Sequence, residues 1–214
     1  MEIAIIELEA LLPETVNPWY LAGGVDAAHV AAWQAKGAVS LAASYLKLGG
    51  ASFGHANIDP SVVGGVAPTW DATDGWQLDR SIPQYLDTGF IPISGMSIFC
   101  RFSNCDGTTD RVLIGSSNGG FSGITCLIPS GSGGAVAYYW GGNNQNKSPA
   151  ITDGVLGVAG TKCYRNGIDD GLTLVPGAFP TVSLWIGALH MGGAILPNQA
   201  YIQALWLSDI VHPD

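Results

Sequence analysis

From Ala67 onward the sequence is a succession of short apolar runs broken about every 10 residues by clusters of Gly, Asn, Asp and Ser. Runs of that length with turn residues between them suit a β-sandwich better than any helical packing. The runs predict strands near residues 75–78, 84–87, 96–103, 112–116, 123–128, 135–140, 155–159, 162–165, 184–189 and 200–207. In MSIFCRF the alternation is visible directly: Ile98, Cys100 and Phe102 point to one face of a strand. The composition agrees. Charged residues make up 12% of the 214, about half the usual ~25%, and there are 30 glycines. With 47% apolar residues the chain has ample material for a core, and disorder is not expected.

Charge excludes two classes of partner. The net charge is −9, and the eight Lys and Arg residues do not cluster, so no basic stripe is present to neutralise phosphates or to hold an anionic membrane. No run approaches the ~20 apolar residues of a spanning helix. The opening MEIAIIELEALLPE is acidic and lacks a basic region followed by an apolar one, so no secretory signal is expected. Cys100, Cys105, Cys126 and Cys163 include no CxxC pair and read as free structural thiols.

Residues 1–66 form an N-terminal extension distinct from residues 67–214. The segment 3–12, ended by Pro13, reads as an acidic amphipathic arm, with Leu11, Leu12, Val16 and Trp19 available for an assembly contact. Residues 19–48 are Ala-rich and helix-like. Asp26 caps a short helix through Trp33, Gly37 interrupts it, and a second segment runs through Leu46. On that helix His29 and Trp33 share a face and read as packing residues. Residues 49–66 read as a Gly-rich connector, in which His55 and Asp59 alone are too few for a metal site.

The stretch GTKCYRNGIDDG carries the strongest local signal. Asn166-Gly167 after a short strand marks a two-residue hairpin turn, which needs positive φ at both central positions. Asp169-Asp170-Gly171 reads as a second turn with solvated carboxylates.

Several motifs in order resemble the laminin-G-like, concanavalin-A-like jelly rolls over about residues 67–210. They are Gly75-Trp76 followed by Tyr85-Leu86-Asp87-Thr88-Gly89, then Val158-Ala159, Tyr164-Arg165-Asn166-Gly167, Ile186-Gly187, and Ile202-Gln203-Ala204-Leu205-Trp206-Leu207. Two positions depart from that family's pattern. Leu156-Gly157 stands where many members carry Trp-His, and Gln199-Ala200 where Ser-Gly is usual. The leader resembles those that precede such domains in bacteriophage and prophage structural genes. The resemblance implies an all-β, concanavalin A-like (laminin-G-like) jelly-roll β-sandwich with a short, partly helical N-terminal extension. It also implies a virion structural protein, made in the host cytoplasm: a tail, fibre or head-decoration subunit. Such a subunit has other virion subunits as partners and is a homo-oligomer.

Three functions follow as expectations. The first is that non-catalytic virion subunit, with attachment to glycan or host surface. The second is a bacterial carbohydrate-binding, lectin-like module. The third is a glycoside hydrolase, which relatives of this fold achieve with paired carboxylates on one strand. Against the third, every Glu lies in the arm, at Glu2, Glu7, Glu9 and Glu14, and no GxSxG elbow or phosphate loop is present. A glycan site is expected in AYYWGGNNQNKSP, where Tyr138, Tyr139 and Trp140 offer an aromatic platform and Asn143, Asn144 and Asn146 offer hydrogen bonds. Asp71, Asp74, Asp169 and Asp170 are the candidate Ca²⁺ ligands, and no other cofactor is expected. Trp76, Tyr85, Phe99, Trp185 and Trp206 are assigned to the core.

Overall fold

A strand that alternates as Ile98, Cys100 and Phe102 do needs a second layer to cover its apolar face, and the chain supplies one. In a computed structural model, residues 26–48, 58, 66–82, 84–120, 123–191 and 197–210 are described. After a 3₁₀ turn at Ala27–His29, the elements in order are β1 (Val30–Gln34), helix α1 (Leu41–Ser44), β2 (Thr69–Asp71), β3 (Gly75–Gln77) and β4 (Leu86–Asp87). There follow β5 (Ser97–Ser103), β6 (Ile114–Ser117), β7 (Ile124–Gly131), β8 (Ala135–Trp140), β9 (Asn143–Lys147) and β10 (Gly154–Ala159). The remainder are β11 (Lys162–Arg165), β12 (Ile168–Thr173), β13 (Trp185–Ile186), β14 (Leu189–His190) and β15 (Tyr201–Ser208).

These strands build two sheets. Sheet A runs β12-β11-β10-β5-β15-β3-β2, with β1 also on β15, and sheet B runs β4-β13-β6-β7-β8-β9, with β14 on β6. The β14–β6 pairing is parallel, and the other pairings are antiparallel. The architecture is the all-β sandwich indicated by the sequence, compatible with a concanavalin A-like jelly roll. Among the described residues no helix is long and apolar enough to cross a membrane.

The core lies between the sheets. Ile98, Cys100 and Phe102 of β5, Leu156 and Val158 of β10, and Leu205 and Leu207 of β15 meet Ile114, Leu127, Val136 and Trp140 from sheet B. Tyr138 ties the two layers across this core. Its hydroxyl donates to Asp170 Oδ2 at 2.7 Å, and Asp170 is ion-paired with Arg165 at 3.1 Å, with its side chain 8% exposed. Burial, then the Asp170 hydrogen bond, push the Tyr138 hydroxyl well above its ordinary pKa. All four cysteines are free and buried, as expected.

The leader corrects one expectation. Residues 30–34 are a strand, not the second half of a helix begun at Asp26, although Asp26 does accept from Ala28 N–H to cap the 3₁₀ turn. Val30 to Gln34 pair with Ser208 to Ala204, continuing the row begun by β3 along the same side of β15. Ala has only a few tenths of a kcal/mol per residue of helix advantage, and ladder pairing plus full burial of Trp33 outweigh it. His29 and Trp33 therefore part company. His29 Nδ1 lies 2.9 Å from Asp209, whereas Trp33 enters the core. A short helix does follow, at α1, capped by Ser40 Oγ. Ser44 Oγ in turn accepts from the indole N–H of Trp76 at 2.9 Å. The arm at 3–12 and the connector residues His55 and Asp59 lie outside the described residues.

Candidate functional site

The loop expected to bind glycan is placed differently by the structure. Tyr138 and Trp140 are fully buried, and Trp140 packs edge-on against Phe179 with ring centres 5.5 Å apart. A stacking platform needs an open ring face, so these two rings cannot provide one. Tyr139 points to the opposite side of sheet B and packs against Ile124, Cys126, Ile128 and Ala137. The polar run after Gly142 is not a loop but edge strand β9, paired residue by residue with β8. Asn143 uses its side-chain N–H to hold the Val175 carbonyl at 2.7 Å, while Asn144 and Asn146 are exposed.

The four candidate calcium ligands fall at opposite edges of sheet A, two by β2 and two on β12. Asp71 accepts from Thr73 N–H, Asp74 N–H and the Gln77 side chain, so it organises the β2–β3 turn. Asp169 accepts from Gly171 N–H at 2.7 Å within β12, where the expected second turn is instead a register shift opposite β11. Asp170 faces inward, onto Tyr138 and Arg165, and is no solvated turn residue. Among the described residues no group of three or more His, Cys, Asp or Glu is arranged to hold a metal ion.

The register of sheet A brings together a different set of residues. Because Ile98, Cys100 and Phe102 face the core, Phe99 and Arg101 must face outward, and the same parity turns Trp206 out between Leu205 and Leu207. Phe99 and Trp206 are thus corrected from core to surface, whereas Trp76 is core. Tyr85 and Trp185 are buried in a separate small cluster, where Trp185 stacks on Tyr85 at 3.8 Å and on His190 at 3.9 Å. Pairing then aligns the outward residues. Tyr164 opposes Gly157, Gly157 opposes Phe99, and Phe99 opposes Trp206, one row across β11, β10, β5 and β15. A second row, Val155–Arg101–Ala204–Gln34, runs beside it from β10 to β1.

Gly157 makes the first row possible. A Cβ at that position would sit 2.1 Å from Phe99 Cδ1, so the ring lies over the glycine backbone. From there Phe99 contacts Tyr164 at 5.7 Å and Trp206 at 5.6 Å between ring centres, the latter edge-on. Gly157 is therefore the position that lets three aromatic rings meet. Three strand spacings of ~4.8 Å separate the Tyr164 and Trp206 backbones, and the Phe99 ring bridges the two side chains into one strip.

Beside the strip lies an open depression of about 630 Å³ lined by Phe99, Trp206, Val155, Arg101, Gln34 and Lys36, among others. Its polar side is built on an irregularity in β15 at Gln203. The Gln203 carbonyl accepts from both Ala35 N–H and Lys36 N–H, fixing the Lys36 backbone at the rim. The Gln203 side chain donates to Ser103 Oγ at 2.9 Å and accepts from Arg101 Nε at 3.0 Å, which orients the guanidinium. An adjoining hollow of about 450 Å³ shares Lys36, Arg101 and Gln203 and reaches Asp153. The Asp153 carboxyl accepts from Asn104 N–H and the Thr152 hydroxyl, which hold it below the usual carboxylate range and so ionised at neutral pH. Chemically this face is an apolar strip of three mutually tilted rings edged by amide and cationic donors. It suits the apolar face of a sugar ring and its hydroxyls.

No family model matches the chain, and no curated protein matches it in sequence. Solved structures similar in fold include three of Trypanosoma rangeli sialidase. One, in complex with 2,3-difluoro-KDN, is 14% identical with a TM-score of 0.46, over 95% of this chain and 34% of the sialidase. A mutant displaying trans-sialidase activity is 16% identical with a TM-score of 0.41, over 73% of this chain and 27% of that one. The complex with 2,3-difluorosialic acid, a covalent intermediate, is 14% identical with a TM-score of 0.42, over 92% and 34%. The chain spans about a third of the length of these structures or less.

Proposed function

We propose that the chain is a non-catalytic attachment subunit of a bacteriophage particle, a tail, fibre or head-decoration protein. Glycan or host surface is met by the outer face of sheet A. The observation that carries the attachment role is the Tyr164–Phe99–Trp206 strip beside its amide- and cation-edged depression. The virion role rests on the sequence: the resemblance to laminin-G-like domains of phage structural genes and the sparse charge coat. A binding rather than catalytic role is supported by the lining of the aromatic depression. Among the described residues no Asp or Glu contributes to it, whereas a glycosidase of the common kind sets two carboxyls about 5–10 Å apart across the bond it cleaves.

The test is binding of the purified chain to a glycan array and to host cells, with and without EDTA, beside Trp206→Ala and Phe99→Ala. Binding that both variants abolish, and EDTA leaves intact, is the expected result. Binding lost with Trp140→Ala but not with Trp206→Ala would overturn the assignment of the face. A free bacterial lectin-like module would use the same strip, and light scattering after size exclusion separates the two. A trimer or larger assembly fits the particle subunit, and a monomer fits the lectin.

A further inference from the structure

We propose that the saccharide recognised by this face is acidic, carrying a carboxylate that Arg101 and Lys36 receive while its ring lies on Phe99 and Trp206. The inference rests on the attachment reading above and adds the substrate class. It starts from where the cations of an acidic chain are placed. Of eight Lys and Arg against a net charge of −9, Arg80, Lys162 and Arg165 are paired with Asp106, Asp169 and Asp170, and Lys147 donates to the Asp170 carbonyl. Arg101 and Lys36 differ. The ammonium of Lys36 and the two terminal amino groups of Arg101 have no hydrogen-bond or ion-pair partner among the described residues, and both side chains line the same depression.

Arg101 is also preorganised. Its Nε is anchored to Gln203, itself anchored to Ser103, so a planar fork with unengaged terminal nitrogens is held in the lining of the depression. That fork matches a carboxylate with two parallel hydrogen bonds, a fit that a neutral hydroxyl does not reproduce. Asp153, the acid that lines the adjoining hollow, has both oxygens already engaged by Asn104 and Thr152.

The experiment is calorimetric titration of the full chain with three probes: a hexuronate oligosaccharide, its carboxyl-reduced neutral counterpart, and a sulfated oligosaccharide of the same length. Each is run at low and at high salt. The expected result is that the hexuronate binds at least tenfold more tightly than the neutral form and weakens as salt rises. Arg101→Gln and Lys36→Gln should reduce that preference, Arg101→Lys should restore part of it, and Trp206→Ala should remove binding of both forms. Both cations are exposed, so their variants fold, which circular dichroism verifies. Equal affinity for the acidic and neutral forms would overturn the inference and leave the attachment reading standing. Preference for the sulfated probe would overturn the carboxylate assignment. No response to any saccharide from folded protein would overturn the attachment reading as well.

Discussion

Gly157→Ala tests the construction of the outer face with one methyl group. The new Cβ would stand 2.1 Å from Cδ1 and 2.4 Å from Cε1 of Phe99, and 2.7 Å from the Ile98 carbonyl oxygen. Ordinary carbon contacts are about 3.5–4.0 Å, so the ring must retreat by roughly 1.4–1.9 Å. The Ile98 contact is backbone, which cannot yield without disturbing the β5–β10 ladder. Gly157 is not in the left-handed φ region, so the cost is steric and not conformational. Overpacking of this kind costs about 1–3 kcal/mol, and loss of the Phe99–Tyr164 contact adds about 0.5–1.5 kcal/mol. A total of about 1.5–4.5 kcal/mol lowers Tm by about 3–18 °C in a chain of this size. Urea unfolding and calorimetry measure it directly. The double variant Gly157→Ala/Phe99→Ala isolates the cause. Removing the ring should make the alanine cheaper by at least ~1 kcal/mol, a coupling well above the additivity error of a few tenths. A single-variant cost under ~0.5 kcal/mol, or no relief in the double variant, would refute the close approach of ring and glycine.

Other outcomes follow from the same structure. Tyr138→Phe removes the hydroxyl that serves the buried Asp170 carboxylate and should cost about 1.5–3 kcal/mol by urea denaturation, with binding to the outer face unchanged. Burial pushes the Cys100 and Cys163 thiols up to about 12 and raises those of Cys105 and Cys126. A thiol reagent at pH 8 should therefore label none of the four until the chain is unfolded. Asp153 is held below its ordinary value, so its stabilising contribution is fully present above the unfolded value near ~3.9 and is lost as pH falls through the folded one. Asp153→Asn should flatten the acid limb of a stability profile between pH 6 and 2, and an unchanged limb would contradict the Asn104 and Thr152 contacts.

The fold was largely legible because its strands announce themselves locally. Residues 135–140 and 162–165 coincide with β8 and β11, and Asn166-Gly167 turns where its chemistry requires. Strands without an apolar signal were not legible. β9 reads NNQNK and is exposed along its length, since an edge strand of sheet B has little core to face. β1 reads VAAWQ, where alanine favours a helix and only the distant β15 makes a strand. The aromatic outer face was hidden for a related reason. Tyr164, Phe99 and Trp206 lie far apart in sequence, and cross-strand register alone joins them. Half of that signal was available. Once Ile98, Cys100 and Phe102 are turned inward, Phe99 must be outward. Tyr138 and Trp140 misled because aromatic residues beside a polar run look the same whether the strand end is covered or open.

The position of β15 has a consequence for how the molecule is made. It lies between β5 on one side and β1 and β3 on the other, and those partners are synthesised about 100 to 170 residues before it. At about 5–20 residues per second on the ribosome, β1 waits roughly 10–35 s for its complement. During that time β5 can pair with β10, but one flank of the nascent sheet stays open, and such edges invite association with neighbouring chains. Insertion of β15 then joins both halves of sheet A and brings Trp206 beside Phe99 in one late event. Pairing over such sequence separations is slow, so the aromatic face should mature last, with the final closure of the sandwich.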